Sequence, residues 1–202
     1  MMTTRSEYRL LLRQDNADER LTPLGYELGL ISKERFADFQ ADMAAVDTEL
    51  RRLEETILPP SPKLDAMLEE KGTAPLKTGA RLSDLIRRPQ VTYLDLAPFD
   101  TGRPKEIKAK VANAVEIKLK YEGYIKRQLQ QVEQMRKLEV KRLDPDMDYH
   151  AIRGLRLEAI EKLSKLRPLN VGQASRITGV SPADISVLLI YLEQKGRAEH
   201  DR

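Results

Sequence analysis

The chain has no cysteine and no tryptophan among its 202 residues. Without cysteine there can be no disulfide scaffold and no thiolate metal site. The two histidines, His150 and His200, lie far apart, and neither has the neighbours of a ligand cluster. Aromatic residues make up only 5% of the chain, so a core must be filled by leucine, isoleucine and alanine, a diet that favours helices over sheets. Long apolar runs are missing too. The longest, Val187 to Leu192, has six residues, far short of the ~20 that span a bilayer. There is no signal-peptide pattern, so the chain reads as cytoplasmic and without membrane contact. It also lacks a glycine-rich phosphate loop, a dinucleotide fingerprint, and a nucleophile beside a base. No self-contained active site or cofactor site is legible, so the chain by itself is expected to be catalytically inactive.

Charge is plentiful. One residue in three is charged, yet the net charge is only +3. Its distribution is uneven: between Arg103 and Arg142 twelve basic residues face five acids, leaving the rest of the chain net negative. A basic helix can lie along a nucleic-acid backbone and release counterions, and Lys126 and Arg127 in its middle are candidate contacts. The alternative is a solvated face held by intrahelical pairs such as Glu116–Lys120 and Glu122–Lys126.

Helix punctuation is clear. Thr22-Pro23 opens a short helix that Gly29 closes, and Ser32 caps a long one from Lys33 to about Ile57. Phe36, Phe39, Met43, Val46, Leu50, Leu53 and Ile57 follow its three-and-four spacing. Ser61-Pro62 starts another helix and Gly72 stops it. Between Thr73 and Arg103, frequent proline allows only short helices around Leu82–Arg87 and Tyr93–Leu96. Pro104 begins a second long helix to about Leu143, with an apolar stripe through Val111, Ala114, Ile117, Tyr121, Ile125, Leu129, Val132, Met135 and Leu138. A stub near Tyr149–Arg153 follows, then helices at Leu157–Leu166, Val171–Thr178 and from Ser181-Pro182 to about Lys195. No stretch alternates long enough to argue for a sheet. The expected architecture is all-α: a helical lobe over 1–103, a helical bundle over 104–196 with a helix-turn-helix-like end, and a tail over 197–202.

Two segments carry functional expectations. In TRSEYRLLLRQDNADERLT, from Thr4 to Thr22, a helical first half would align Arg5, Arg9 and Arg13 in one cationic stripe, able to grip phosphates through planar paired hydrogen bonds. The competing reading pairs those arginines with Glu7, Asp15, Asp18 and Glu19. In GQASRITGVSPADISVLLIYL, from Gly172 to Leu192, the outline is that of a helix-turn-helix. A DNA reader exposes basic groups early on its second helix, whereas this one begins with Ser181, Asp184 and Ser186 and turns apolar, which argues against DNA. Ile185, Leu188, Leu189 and Leu192 are candidates for a partner surface, with burial in a core as the alternative.

TRSEYRLLLRQDNADERLTPLGYELGLI, RRP, YEGYIKRQ, DYHAIRGL and RPLNVGQASRITGVSPADISVLLIYL, in this order, resemble the C-terminal portion of the bacterial MnmG (GidA) family. The likeness runs from about Thr3 to Leu192 and is weakest over Ala41 to Thr78. Departures include Met2 where an aromatic is common, Ser6 where alanine is frequent and Arg156 where serine is. Arg156 would add a basic contact or alter a helix cap. The resemblance implies a piece of a homodimeric enzyme whose FAD and NADH sites lie in an N-terminal half. With the GTPase MnmE, that enzyme modifies carbon five of the tRNA wobble uridine. It also implies that Arg5, Arg9 and Arg13 face tRNA. The bundle from roughly Glu116 to Leu192 would dock MnmE, with a further tRNA contact left open. A purely structural docking module is the alternative, and a DNA-binding regulator a more distant one.

Overall fold

The computed structural model describes residues 8–200, with side chains through Lys195. Its described elements are helical apart from one two-stranded ribbon: α1 Ala17–Glu27, α2 Lys33–Glu55, β1 Ile57–Leu58, α3 Pro62–Glu70, β2 Ala80–Arg81, α4 Leu82–Ile86, α5 Ala109–Val140, α6 Leu157–Leu166, α7 Val171–Ser175 and α8 Pro182–His200. A 3₁₀ turn at Tyr149–Ala151 precedes α6. The chain divides into two compact units, residues 1–128 and 129–202.

In the first unit, the predicted caps form. The Ser32 hydroxyl accepts from the Arg35 N–H and that of Ser61 from the Leu64 N–H, and Pro62 occupies the first turn of α3. Gly72 leaves α3 at φ +73°, a conformation that favours glycine. Val46, Leu53, Leu64, Leu68, Leu82, Leu85, Ile86, Val91 and Leu96 build the core, closed by Val111, Val115 and Leu119 of α5. That contribution from α5 explains why the division falls at residue 128 rather than at the expected 103. The first three turns of α5 complete the first core.

Several expectations need correction. α1 begins at Ala17, ahead of Thr22-Pro23, and holds Pro23 inside it. A turn closed by Ala17 N–H to the Gln14 carbonyl runs straight into the helix, and Asp18 and Glu19 then favour its positive end. Tyr93–Leu96 forms consecutive turns instead of a helix. α5 starts at Ala109, later than Pro104 suggests, and α7 ends at Ser175. α8 continues through Gly196. The ribbon of β1 and β2 pairs antiparallel, Ile57 opposite Arg81 and Leu58 opposite Ala80. Two residues per strand are too few to leave an alternating pattern in the sequence.

The second unit has its own core of Leu143, Met147, Tyr149, Ile152, Leu155, Ala159, Leu163, Val171, Ala174, Ile185 and Leu188. Leu143 donates its N–H to Leu169 and Val171 donates to Lys141, tying the residues after α5 to the start of α7. α7, the turn at Gly179 (φ +101°) and α8 form the helix-turn-helix-like end. The architecture is all-α, with two helical lobes. Among the described residues no helix is long and apolar enough to cross a membrane.

Candidate nucleic-acid interface

Over its described residues, from Tyr8 to Arg13, the opening segment is not the helix that the stripe of arginines requires. Tyr8–Leu11 is a turn closed by the Leu11 N–H and the Tyr8 carbonyl, and the chain is irregular until α1. Arg5 lies outside the described residues. Arg9 is exposed in the turn. Arg13 is committed elsewhere: its Nε and Nη2 each donate to the Asp15 carboxylate at 2.9 Å, and Nη1 donates to the Leu10 carbonyl at 2.6 Å. Its guanidinium also lies 5.1 Å from the centroid of the Tyr121 ring, and only 14% of the side chain is exposed. The Arg13 hydrogen bonds hold the Asp15 carboxyl below the usual carboxylate range. The planar fork that sequence spacing offered to phosphate is spent within the protein. Irregular backbone decided this, because without a helix the four-residue spacing no longer aligns side chains.

Beside this segment, α1, α2 and the start of α5 enclose a cavity of about 410 Å³. Its wall mixes signs: Asp38 and Asp42 face Arg35, Lys110 and Lys118. Burial pushes the Asp42 carboxyl up, but hydrogen bonds from Lys108 (2.8 Å) and Lys110 outweigh it and keep it below its ordinary value. Lys118 reaches Glu19 of α1 at 2.8 Å. Four of the cations that charge density credits to a polyanion surface are thus consumed locally, since Lys120 also bonds Glu116 and the Pro89 carbonyl. Among the described residues no group of three or more acids or histidines is placed to hold a metal ion.

Further along α5 the picture changes. The apolar stripe expected through Tyr121 and Leu129 is not buried. Burial on α5 is confined to Val111, Val115 and Leu119, and Tyr121, Tyr124 and Leu129 are exposed. Lys126 and Arg127 are both exposed, with no hydrogen bond or ion pair to a described residue. Two acids earlier on the helix are occupied, Glu122 by Arg87 at 2.6 Å and Glu116 by Lys120. The expected Glu122–Lys126 pair is replaced by Glu122–Arg87, which leaves Lys126 free. Of the five predicted RNA-contacting cations, Arg9, Lys126 and Arg127 are available among the described residues.

In the second unit, Ile185 and Leu188 are core residues, 7% and 0% exposed, and form no outward surface. Leu189 and Leu192 are half-buried against the same core. Among the described residues of α8, the large apolar side chain that is exposed is Ile190. The end of α8 that a DNA reader would insert into a groove is also occupied. Arg156 and Glu158, around the start of α6, lie against Asp184 and Gly179. Sequence spacing carries no sign of this, because the contact joins residues 28 positions apart.

Residues 33–129 match the family described as tRNA modifying enzyme MnmG/GidA C-terminal helical domain, and residues 131–202 match its C-terminal helical bundle. The junction falls beside the division between the two units. A tRNA uridine 5-carboxymethylaminomethyl modification enzyme MnmG from Caldicellulosiruptor saccharolyticus is 53% identical over 194 residues, 96% of this chain and 31% of that protein. The enzyme of the same description from Geobacillus kaustophilus is 53% identical over 197 residues, with the same coverage. Among solved structures, Aquifex aeolicus GidA in its form II crystal superposes with a TM-score of 0.60 at 37% identity, covering 93% of this chain and 29% of that one. The chain belongs to the MnmG/GidA family and carries its C-terminal helical domains. It spans about a third of the length of the curated relatives it matches.

Proposed function

We propose that this chain supplies a tRNA-binding and partner-docking surface to an FAD- and NADH-dependent enzyme that modifies carbon five of the tRNA wobble uridine together with the GTPase MnmE. The relatives' name as tRNA-modifying enzymes supports the substrate class. One structural observation supports the contact surface: Lys126 and Arg127 stand exposed on α5 while Glu122 and Glu116 are already paired with other cations. Arg9, in the opening turn, adds a third cation with no partner among the described residues. The flavin, the nicotinamide and the chemistry belong to the remaining two-thirds of the relatives' length, so this chain binds and positions without turnover.

The test is a titration of the chain with tRNA over a range of salt. Binding is expected to weaken steeply as salt rises. The variant R9A/K126Q/R127Q is expected to bind less tightly, its salt slope reduced by about one unit for each phosphate it no longer neutralises. Equal affinity of parent and variant at moderate salt would remove the RNA-contact reading. Ile190, with the partly exposed Leu189 and Leu192, favours a second role for α8 in docking MnmE. Replacing Ile190 by serine is expected to weaken capture of MnmE while leaving tRNA affinity unchanged.

A further inference from the structure

On α5, residues 120 to 127 place Lys126, Gly123, Arg127, Lys120, Tyr124 and Tyr121 around one continuous arc of the helix. Its chemistry is unusual for a solvated face. Tyr124 is 60% exposed and Tyr121 39%, with ring centroids 6.5 Å apart and planes tilted by 58°. Exposed rings add no core packing. The Arg13 guanidinium lies over the Tyr121 ring, and Tyr124 beside it is the more exposed of the two.

Gly123 is the second observation. Glycine in a helix interior is unfavourable relative to alanine, and it usually signals a close approach by something else. Nothing in the described structure explains it here: a Cβ on Gly123 would have no atom within 4 Å. The glycine leaves a shallow notch between Lys126 and Arg127, two cations without partners among the described residues, with Tyr124 on the far side of Arg127.

Resting on the tRNA-contact reading above, we infer that this arc is a binding site for unpaired RNA nucleotides. A backbone phosphate sits over the Gly123 notch between Lys126 and Arg127, and the adjoining base stacks on Tyr124. Cations alone would serve paired and unpaired RNA equally. An exposed ring beside them favours unpaired bases, because a base inside a duplex has both faces covered by its stacked neighbours. Tyr121, braced by Arg13, is a positioning residue for Tyr124.

The experiment measures affinity of the full chain for a short RNA hairpin and for the blunt duplex of its stem, at several salt concentrations. The parent is expected to prefer the hairpin. Y124A is expected to bind the hairpin about tenfold less tightly, with an unchanged salt slope and unchanged duplex affinity. Y124W should restore the preference, which excludes a general structural effect of the substitution. G123L, which fills the notch and suits a helix, should weaken both RNAs. Hairpin affinity equal in Y124A and the parent would overturn the stacking site, even if K126Q/R127Q lowers affinity for both RNAs and so leaves the wider tRNA reading standing. If K126Q/R127Q changes neither affinity nor salt slope, the phosphate contact fails as well, and both readings fall with it.

Discussion

Arg156 and Asp184 form a clamp across the helix-turn-helix-like end. Arg156 Nη2 donates to Asp184 Oδ2 at 2.7 Å and Nε donates to the same oxygen at 3.1 Å, while Nη2 also reaches the Gly179 carbonyl at 2.9 Å. Asp184 simultaneously caps α8. It accepts from the Ser181 N–H at 2.8 Å, and the Ser181 hydroxyl accepts from the Asp184 N–H at 3.3 Å. This reciprocal arrangement satisfies two orphan donors of the helix start. The acid whose charge would repel phosphate at this helix start is 1% exposed and neutralised by Arg156. It organises the turn.

Asp184 should therefore matter for the stability of the second unit. D184A is expected to cost about 1–3 kcal/mol by removing the cap and stranding its donors, measured by urea denaturation. Hydrogen bonds from Arg156 and Ser181 hold the Asp184 carboxyl well below its ordinary value. A lowered folded pKa contributes stability that is full above the unfolded value, about 4, and is lost as pH falls through the folded one. The parent should thus lose stability on acidification faster than D184N.

In the first unit, Arg52 bridges two buried carboxylates, Glu49 at 2.6 Å and Asp100 at 2.6 Å, each 4% exposed. R52A leaves both without a counter-charge and is expected to cost about 3–5 kcal/mol, read from the denaturation midpoint. Tyr93 donates its hydroxyl to Glu49 at 2.7 Å.

Burial, reinforced by the bond to Glu49, pushes the Tyr93 phenol up to about 12. The unfolded chain loses that proton near pH 10, before the folded one does, so stability should fall between about pH 10 and 12. Y93F, compared with the parent by alkaline denaturation, should flatten that fall.

Gly172 in α7 lies against α5. A Cβ there would meet Glu139 Cγ at 2.5 Å and the Glu139 backbone N at 3.1 Å. Backbone cannot step aside as a side-chain end can, so G172A is expected to destabilise the second unit by about 1–3 kcal/mol. Thermal unfolding checks it.

Arg13 separates sequence spacing from structure most sharply. Its donors are committed to Asp15 and Leu10, so R13A is expected to leave the salt slope of tRNA binding unchanged. K126Q is expected to lower it by about one unit. Filter-binding titrations over a salt series measure both.

The helical class and most helix starts are legible in the sequence, because capping and period-3.6 burial are local. Ser32 with Arg35, Ser61 with Leu64 and the glycine exit at Gly72 need only a few adjacent residues. The candidate site is legible in part. Lys126 and Arg127 stand out by charge density, whereas the commitment of Arg13 does not, because it depends on a turn, on Asp15 and on a ring more than a hundred residues away. Tyr121 fits the spacing of an apolar stripe that the fold leaves exposed. Ile185 and Leu188 go the other way, because an apolar run does not reveal which of its members face inward.

Composition and pattern by themselves settled that this chain is helical, thiol-free and unevenly charged, since each of these follows from residue identity and near-neighbour geometry. Tertiary contacts alone decided which charges remain open to a partner. Neutralisation joins residues distant in sequence, as Arg87 does to Glu122 and Arg156 to Asp184, and only the packed chain brings those groups within hydrogen-bond reach.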